Sequence, residues 1–528
     1  MLKENSISIR NINALLILIF AVYIVILLRS AYVNEDAYIT MRTVDNFVNG
    51  YGLRWNVAER VQTFTHPLWL ILVTGIYFFT REAFYTLIFL SFAISLATFY
   101  LTSAQFKRQT LGSLVVLTIL IFSKAFIDFS SSGLENPLTH LLLALFLFLF
   151  LQGADENFMQ GRSVFLLSLI AGLATLNRMD TVLFFVPALL WVFIQNRKAG
   201  TVRNILLGFL PFIIWEIFAV IYYGFPFPNT AYAKLYTGLG RGELIETGFI
   251  YLLNSITWDP ITLLTVFAGT GLAFYKGASK DKMIAFGVVL YILYLIWIGG
   301  DYMSGRFFSG ALLVGVVLLG RQMTDLDPTE SLVAFMLIVA MGFASPTPTL
   351  TSVDDSTFST GRTDPHGIYD LRSYYFQTSG LIFARNNYPK PNHEWVARGL
   401  MFRGSKKNYL IEPTIGYTGY FAGPQLFIVD PLALSDPLLA RLRPVPNEHW
   451  IPGHFVRDVP NGYLETIRSG QNMFEYQDLG EYYMHLWLII EGPLFSTARW
   501  EAIWKMNTGQ YDYLLESYDN RPAAPAAP

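Results

Sequence analysis

Residues 11–28 read NINALLILIFAVYIVILL, a stretch with no charged side chain. A helix that spans a bilayer needs about 20 such residues, with about 17 as the low end. Lys3 and Arg10 precede the run. Basic residues mark the cytoplasmic end of a span, so its start is expected in the cytoplasm. Its far end, Leu27-Leu28-Arg29-Ser30-Ala31-Tyr32, lacks the small-residue spacing of a signal cleavage site, which predicts an uncleaved first helix.

Similar runs recur at 84–104, 111–126, 137–152, 163–176, 181–195, 204–222, 260–275, 283–298, 307–320 and 331–345, for about eleven spans in all. A further run, 68–80, is short. If it does not cross, then Lys107, Arg108, Arg162, Arg197, Lys198, Arg203, Lys276, Lys280, Lys282 and Arg321 all fall in cytoplasmic loops. If it does cross, each of those clusters moves outside. The first arrangement predicts a helix at 68–80 lying in the outer interface or half inserted, with the N-terminus inside and the C-terminus outside.

Composition agrees. Of 528 residues, 53% are hydrophobic and 14% charged, where globular chains carry about 25% charged residues. That excludes a soluble enzyme, a disordered scaffold and a nucleic-acid binder. Cysteine is absent, so there is no disulfide, thiolate metal site or cysteine nucleophile. Residues 1–345 are expected to form a transmembrane module whose first outer loop covers 30–81. The chain then turns polar and rich in Pro, Gly, Tyr and Trp, which predicts an extracytoplasmic α/β soluble domain over 346–520. A Pro/Ala-rich tail at 521–528 is expected to be disordered.

On this topology the outer loops gather Glu35, Asp36, Asp45, Glu59, Arg60, Glu135, Arg178, Asp180, Lys234 and Asp301. Acids at a membrane boundary are costly unless hydrated, paired or metal-bound. The adjacent Glu35-Asp36 pair can bind a divalent cation, or one member can act as a base while the other stays ionised. Residues 37–48 have helical spacing, with Ile39, Met41, Val44, Phe47 and Val48 apolar, before Gly50 and Gly52 end the helix. Arg306, Lys234 and Arg178 are the cations suited to a phosphate, with Arg42 and Arg60 behind them. His66 and His454 are lone histidines, read as structural. There is no P-loop and no Gly-rich dinucleotide turn, so the sequence carries no nucleotide-binding signature.

A set of short matches runs in order along the chain. It comprises Glu35-Asp36, Arg42-Thr43-Val44, Trp55-Asn56, Glu59-Arg60-Val61, Asp128-Phe129, Ser132-Gly133-Leu134-Glu135-Asn136, and Arg178 with Asp180. It continues with Tyr222-Tyr223-Gly224 through to Ala233-Lys234, Gly299-Gly300-Asp301-Tyr302-Met303, Gly305-Arg306, Val429-Asp430, Asp436-Pro437-Leu438 and Gly453-His454. On these the chain resembles the GT-C superfamily of membrane glycosyltransferases. Within that superfamily it resembles the terminal beta-(1,2) arabinofuranosyltransferases of mycobacterial cell-wall synthesis.

The resemblance implies a GT-C-like polytopic helical fold in the bacterial plasma (inner) membrane. It implies a polyprenyl-phosphate sugar donor, for a pentofuranose such as arabinofuranose, and an extracytoplasmic glycan or glycoconjugate acceptor. Asp36 inherits the role of base, with Glu35, Glu135 and Asp301 as further acids of the site, and Asp180 and His454 near the acceptor. The family's acidic pair is Asp-Asp, where this chain has Glu35-Asp36. The pattern makes no cofactor certain. A divalent cation (Mg2+, Mn2+ or Ca2+) is compatible with it, through Asp36 and Glu135. The competing expectation is a transporter or flippase of lipid-linked glycans. Transporters favour midplane sites and internal repeats, and this sequence shows neither.

Overall fold

A computed structural model describes residues 9–106, 110–152, 161–352, 364–384, 390–405, 408–447 and 450–519. Lys3, Lys107, Arg108 and the 521–528 tail lie outside the described residues. The chain divides into two compact units. One holds Met1–Ala37, His66–Phe212 and Gly240–His393, and the other holds Tyr38–Thr65, Ile213–Leu239 and Glu394–Pro528. The described part of 346–393 thus groups with the first unit, while 38–65 and 213–239 group with the second.

The first unit is a helical bundle. Among the described residues, Asn11–Ser30, Ala83–Ala104 and Ser279–Ile298 are each long and apolar enough to cross a membrane, and two bent helix pairs bring the number to five at most. Other apolar helices, such as Pro67–Thr80, Arg162–Asn177, Phe308–Gln322 and Pro328–Phe343, are 10–17 residues long. Phe308–Gln322 runs through the middle, with every residue from Phe308 to Gly320 buried. It crosses Pro260–Lys276 so closely that a Cβ on Gly269 would lie 2.4 Å from the Gly315 carbonyl oxygen. A Cβ on Gly172 would likewise meet the Gly208 carbonyl at 2.8 Å, where Arg162–Asn177 packs on Ala199–Gly208. Small residues let backbones approach where lipid supplies no hydrophobic drive between helices.

Two expectations need correction. The run at 111–126 is not one helix but three pieces, Leu111–Leu117, Ile119–Phe122 and Lys124–Phe129. The Thr118 hydroxyl turns back on the Val115 carbonyl, and Ser123 adopts an extended backbone and caps the last piece by accepting from Phe126 N at 3.1 Å. Side-chain oxygens that compete for backbone groups end helices in this way. Behind the break, buried Lys124 pairs with Asp128 and, at 2.9 Å, with Asp370. The second correction concerns 224–259, expected as an outer loop. It contains the helix Arg241–Trp258, bent by 110° against Pro260–Lys276. Pro260 disfavours helical backbone at Asp259, and the buried Asp259 carboxylate accepts from Ser123, Thr262 and the Ala125 N–H.

The second unit is mostly helical. Its strands, among the described residues, are Tyr409–Ile411 and Phe427–Val429, paired in parallel with Tyr409 opposite Phe427. The connection between them carries the helix Tyr417–Ala422, so the three elements form a small β-α-β unit. The core contains Leu438, Leu439, Tyr463, Leu479, Leu486 and Ile489. A smaller core joins Ile39 and Trp55 to Ile415, Leu426 and Ile428.

Four buried arginines of this unit are spent on backbone carbonyls rather than on acids. Arg42 reaches Trp55, Gly419 and Leu426, and Arg60 reaches Ile489, Glu491 and Gly492. Arg457 reaches Leu442, Phe455 and Ala233, and Arg499 reaches Ile489, Ile221 and Tyr222. Each planar fork gives several main-chain carbonyls a charged donor.

Candidate functional site

The helix expected over 37–48 begins two residues earlier, as Glu35–Val48. Asn34 starts it, its side-chain oxygen accepting from the Asp36 N–H at 2.9 Å. Both acids therefore sit in the first turn, where the unpaired N–H groups favour negative charge. Glu35 is buried, whereas Asp36 is half-buried. The Tyr302 hydroxyl donates to Asp36 Oδ2 at 3.1 Å. Burial and the nearby Asp36 and Asp301 charges push the Tyr302 phenol well above its ordinary range, so it stays a donor.

Tyr302 lies in the Gly299–Met303 turn that links two long helices. The Asp301 carboxylate accepts the Tyr302 N–H at 3.0 Å, and Tyr251 donates to the Met303 carbonyl at 2.9 Å. The turn is thus pinned from both sides.

Glu135 is the hub of the site. It is fully buried in the turn before the helix Asn136–Gln152. Its Oε1 accepts from Arg178 Nη1 at 2.8 Å and from Arg306 Nη2 at 3.0 Å, and His66 Nδ1 lies 3.5 Å from Oε2. Burial alone would raise this carboxyl, but Arg306, His66 and Arg178 outweigh it and hold it well below the usual carboxylate range. Arg178 is also bidentate on Asp180, at 3.0 and 2.6 Å. Arg306 is less fully engaged. Its Nη1 reaches the Met303 sulfur at 3.4 Å and Asp301 at 3.8 Å, and its buried Nε has no hydrogen-bond partner among the described residues. Arg178 lies 4.5 Å over the Phe307 ring. Desolvation lowers His66 to about 4 despite Glu135 beside it, because Arg306 and Arg178 oppose a third positive charge.

The loop before Glu135 fits tightly. Gly133 has φ +79°, and a Cβ there would lie 3.1 Å from Ala37 Cβ. Trp69 Nε1 donates to the Gly133 carbonyl at 3.2 Å.

Of the residues expected from sequence, Asp36, Glu35, Glu135, Arg178, Asp180, Asp301 and Arg306 all lie in the first unit. Arg42, Arg60, Lys234 and His454 lie in the second. Arg42 and Arg60 are corrected. Their forks are taken up by main-chain carbonyls, and burial lowers Arg42 to about 9, so neither is poised for a phosphate. Lys234 ends the helix Asn229–Leu235 with its side chain exposed, and a Cβ on Gly453 would stand 3.2 Å from Lys234 Nζ. His454 is half-buried beside that glycine.

Glu135 faces two arginines. Both guanidinium groups converge on it, which suits it to holding cations rather than to exchanging protons. Among the described residues no group of three or more His, Cys, Asp or Glu side chains is arranged to hold a metal ion. Sequence reasoning read His66 as structural and gave Tyr302 no role of its own. Their signal was weak, a lone histidine before a proline and a tyrosine inside a glycine-rich turn.

No family model matches the chain. Two curated relatives carry the name terminal beta-(1->2)-arabinofuranosyltransferase. That of Mycobacterium tuberculosis is 28% identical over 339 residues, 54% of this chain and 52% of the relative. That of Corynebacterium glutamicum is 26% identical over 355 residues, 58% of this chain and 50% of the relative. The chain thus spans about half the length of the curated relatives it matches. Among solved structures it is similar to ArnT from Cupriavidus metallidurans bound to undecaprenyl phosphate. The TM-score is 0.51 at 11% identity, over 79% of this chain and 85% of that one. This likeness shows the fold: the chain is a polytopic helical membrane protein of the same architecture as that structure.

Proposed function

We propose that the chain is a glycosyltransferase. It moves a sugar, a pentofuranose such as arabinofuranose, from a polyprenyl-phosphate donor to a hydroxyl of an extracytoplasmic glycan or glycoconjugate. The observation that carries this reading is the pairing, within one unit, of a half-buried carboxylate on Tyr302 with two arginines gathered on a buried glutamate. The names of the curated relatives and the lipid phosphate bound by the structural relative support the same chemistry.

In this reading the acceptor O–H gives its proton to Asp36 as its oxygen bonds the anomeric carbon. The bond from that carbon to the phosphate oxygen breaks, and the electron pair leaves with the polyprenyl phosphate. The sugar carbon passes through oxocarbenium-like charge, which the carboxylates of Asp36 and Asp301 favour. Arg306 is the better-placed phosphate ligand, because its Nε and Nη1 are less fully engaged than the corresponding atoms of Arg178. Tyr302 orients Asp36, and Glu135 keeps both guanidinium groups aimed.

The site opens on the extracytoplasmic face of the bacterial plasma membrane, and the cytoplasmic N-terminus follows from the same basic-loop pattern. The test offers the purified full chain a panel of polyprenyl-phosphate sugars with a glycan acceptor and follows release of lipid phosphate. Release with one sugar donor supports the reading and names the sugar. Movement of an intact lipid-linked glycan across vesicles without phosphate release overturns it in favour of a flippase.

A further inference from the structure

The helix Thr497–Asn507 of the second unit buries Arg499, Ala502, Ile503 and Met506. Its outward side presents Trp500 and Trp504, one turn apart, and Phe495 precedes it. Phe495 is 79% exposed and Trp504 66%. A single exposed aromatic is ordinary, but three large aromatics gathered at one helix, two of them at i and i+4, form an apolar patch of the kind that marks a contact surface.

The same helix is tied to the end of an apolar helix of its own unit. Arg499 Nη1 and Nη2 donate to the Ile221 and Tyr222 carbonyls at 2.9 and 3.0 Å, and Asn507 Nδ2 donates to the Gly224 carbonyl at 2.9 Å. Those carbonyls terminate Leu210–Tyr222, whose Ile214 and Ile217 are exposed. Together with Ala199–Gly208, that helix passes the test of length and apolarity for a membrane segment. Whether the pair crosses or turns back, its Tyr222 end stands at the membrane boundary. A helix bound to that end lies at headgroup height.

We propose that Thr497–Asn507 is an interfacial helix, with Phe495, Trp500 and Trp504 seated in the lipid headgroup and upper acyl region. Indole rings favour this depth, with the apolar body toward the chains and the N–H toward water. The neighbouring Glu501–Lys505 ion pair, rotated by about 100° around the helix from Trp500 and Trp504, flanks them on the exposed side and stays hydrated. The domain that the sequence reads as wholly soluble then has a membrane-seated edge, independent of which sugar is transferred.

The natural chain has no cysteine, so Trp504→Cys and Glu501→Cys each introduce a single thiol. Each variant of the full chain is labelled with a nitroxide and reconstituted in phosphatidylcholine–phosphatidylglycerol vesicles. Collisions with oxygen, which concentrates in lipid, are compared with collisions with a water-soluble nickel chelate. The oxygen-to-nickel ratio is expected to be severalfold higher at 504 than at 501. Equal ratios overturn the proposal. So does shielding of position 504 that appears only with added soluble glycan, or only at raised protein-to-lipid ratio, because the face then belongs to a glycan or to a second copy. Where Trp504→Cys fails to fold, Phe495→Cys supplies the same reading.

Discussion

Replacing Glu135 with Gln separates a residue that holds arginines from one that shuttles protons. The carboxylate is fully buried, takes N–H groups from Arg178 and Arg306, and stands 3.5 Å from His66. Glutamine keeps the shape but offers one accepting oxygen, and its amide would point N–H at N–H toward a guanidinium. Breaking one side of a buried ion pair costs about 3–5 kcal/mol. The group's folded pKa is depressed, so that stability is fully present above the unfolded value and is lost only as pH falls through the folded one. A melt at pH 7 therefore reads the whole effect. With the arginines no longer aimed, donor binding loses a charged hydrogen bond of about 1.5–3 kcal/mol, roughly 10- to 150-fold in KM for the polyprenyl-phosphate sugar. The limbs of the pH–rate profile stay where they are, since Glu135 is ionised throughout the working range. The assay pairs thermal unfolding in detergent with transfer kinetics from pH 5.5 to 8.5. A variant that melts with the parent and keeps its donor KM, or one that loses a limb of the profile, refutes the reasoning.

Asp36→Asn is expected to abolish transfer while thermal unfolding stays close to that of the parent. Tyr302→Phe is expected to slow transfer by about tenfold, about 1.4 kcal/mol, through loss of the hydrogen bond that orients Asp36. For His66, burial lowers the imidazole from 6.5 to about 4. Its stability contribution is therefore present above pH 6.5 and falls by about 3 kcal/mol as pH drops toward 4, a slope that His66→Gln removes in pH-dependent melts. Arg42→Lys is expected to cost about 2–4 kcal/mol, because an ammonium cannot serve the Trp55, Gly419 and Leu426 carbonyls together, with no change in donor KM.

The polytopic architecture was legible because a bilayer forces apolar runs, and runs are visible one residue at a time. The helix after the first span was legible from spacing, and its acids fell within it. Breaks were not. Thr118 and Ser123 stop a helix through hydrogen bonds that a mean of apolarity does not register, and Arg241–Trp258 hid behind Glu243 and Glu246. The members of the site were named by their loops and by resemblance, but their pairing was not legible. Glu135 meets Arg178 across 43 residues and Arg306 across 171, and no local pattern links such distances. Arg42 and Arg60 show the converse failure. From sequence each reads as a secondary phosphate candidate or as a partner for a carboxylate of its own loop, and only the fold reveals that it answers main-chain carbonyls.

The carbonyl-clasping arginines also dictate an order of assembly. Arg42 waits for the carbonyls of Gly419 and Leu426, which follow it by 377 and 384 residues. At ribosomal rates of about 5–20 residues per second, that is a wait of about 20–75 s. During it the guanidinium must stay hydrated, so segment 38–65 is held in water while helices on both sides of it in the chain enter the bilayer. The second unit is thus completed late in synthesis, and a ribosome that stalls before residue 419 leaves Arg42 in water, without the carbonyls that allow its burial.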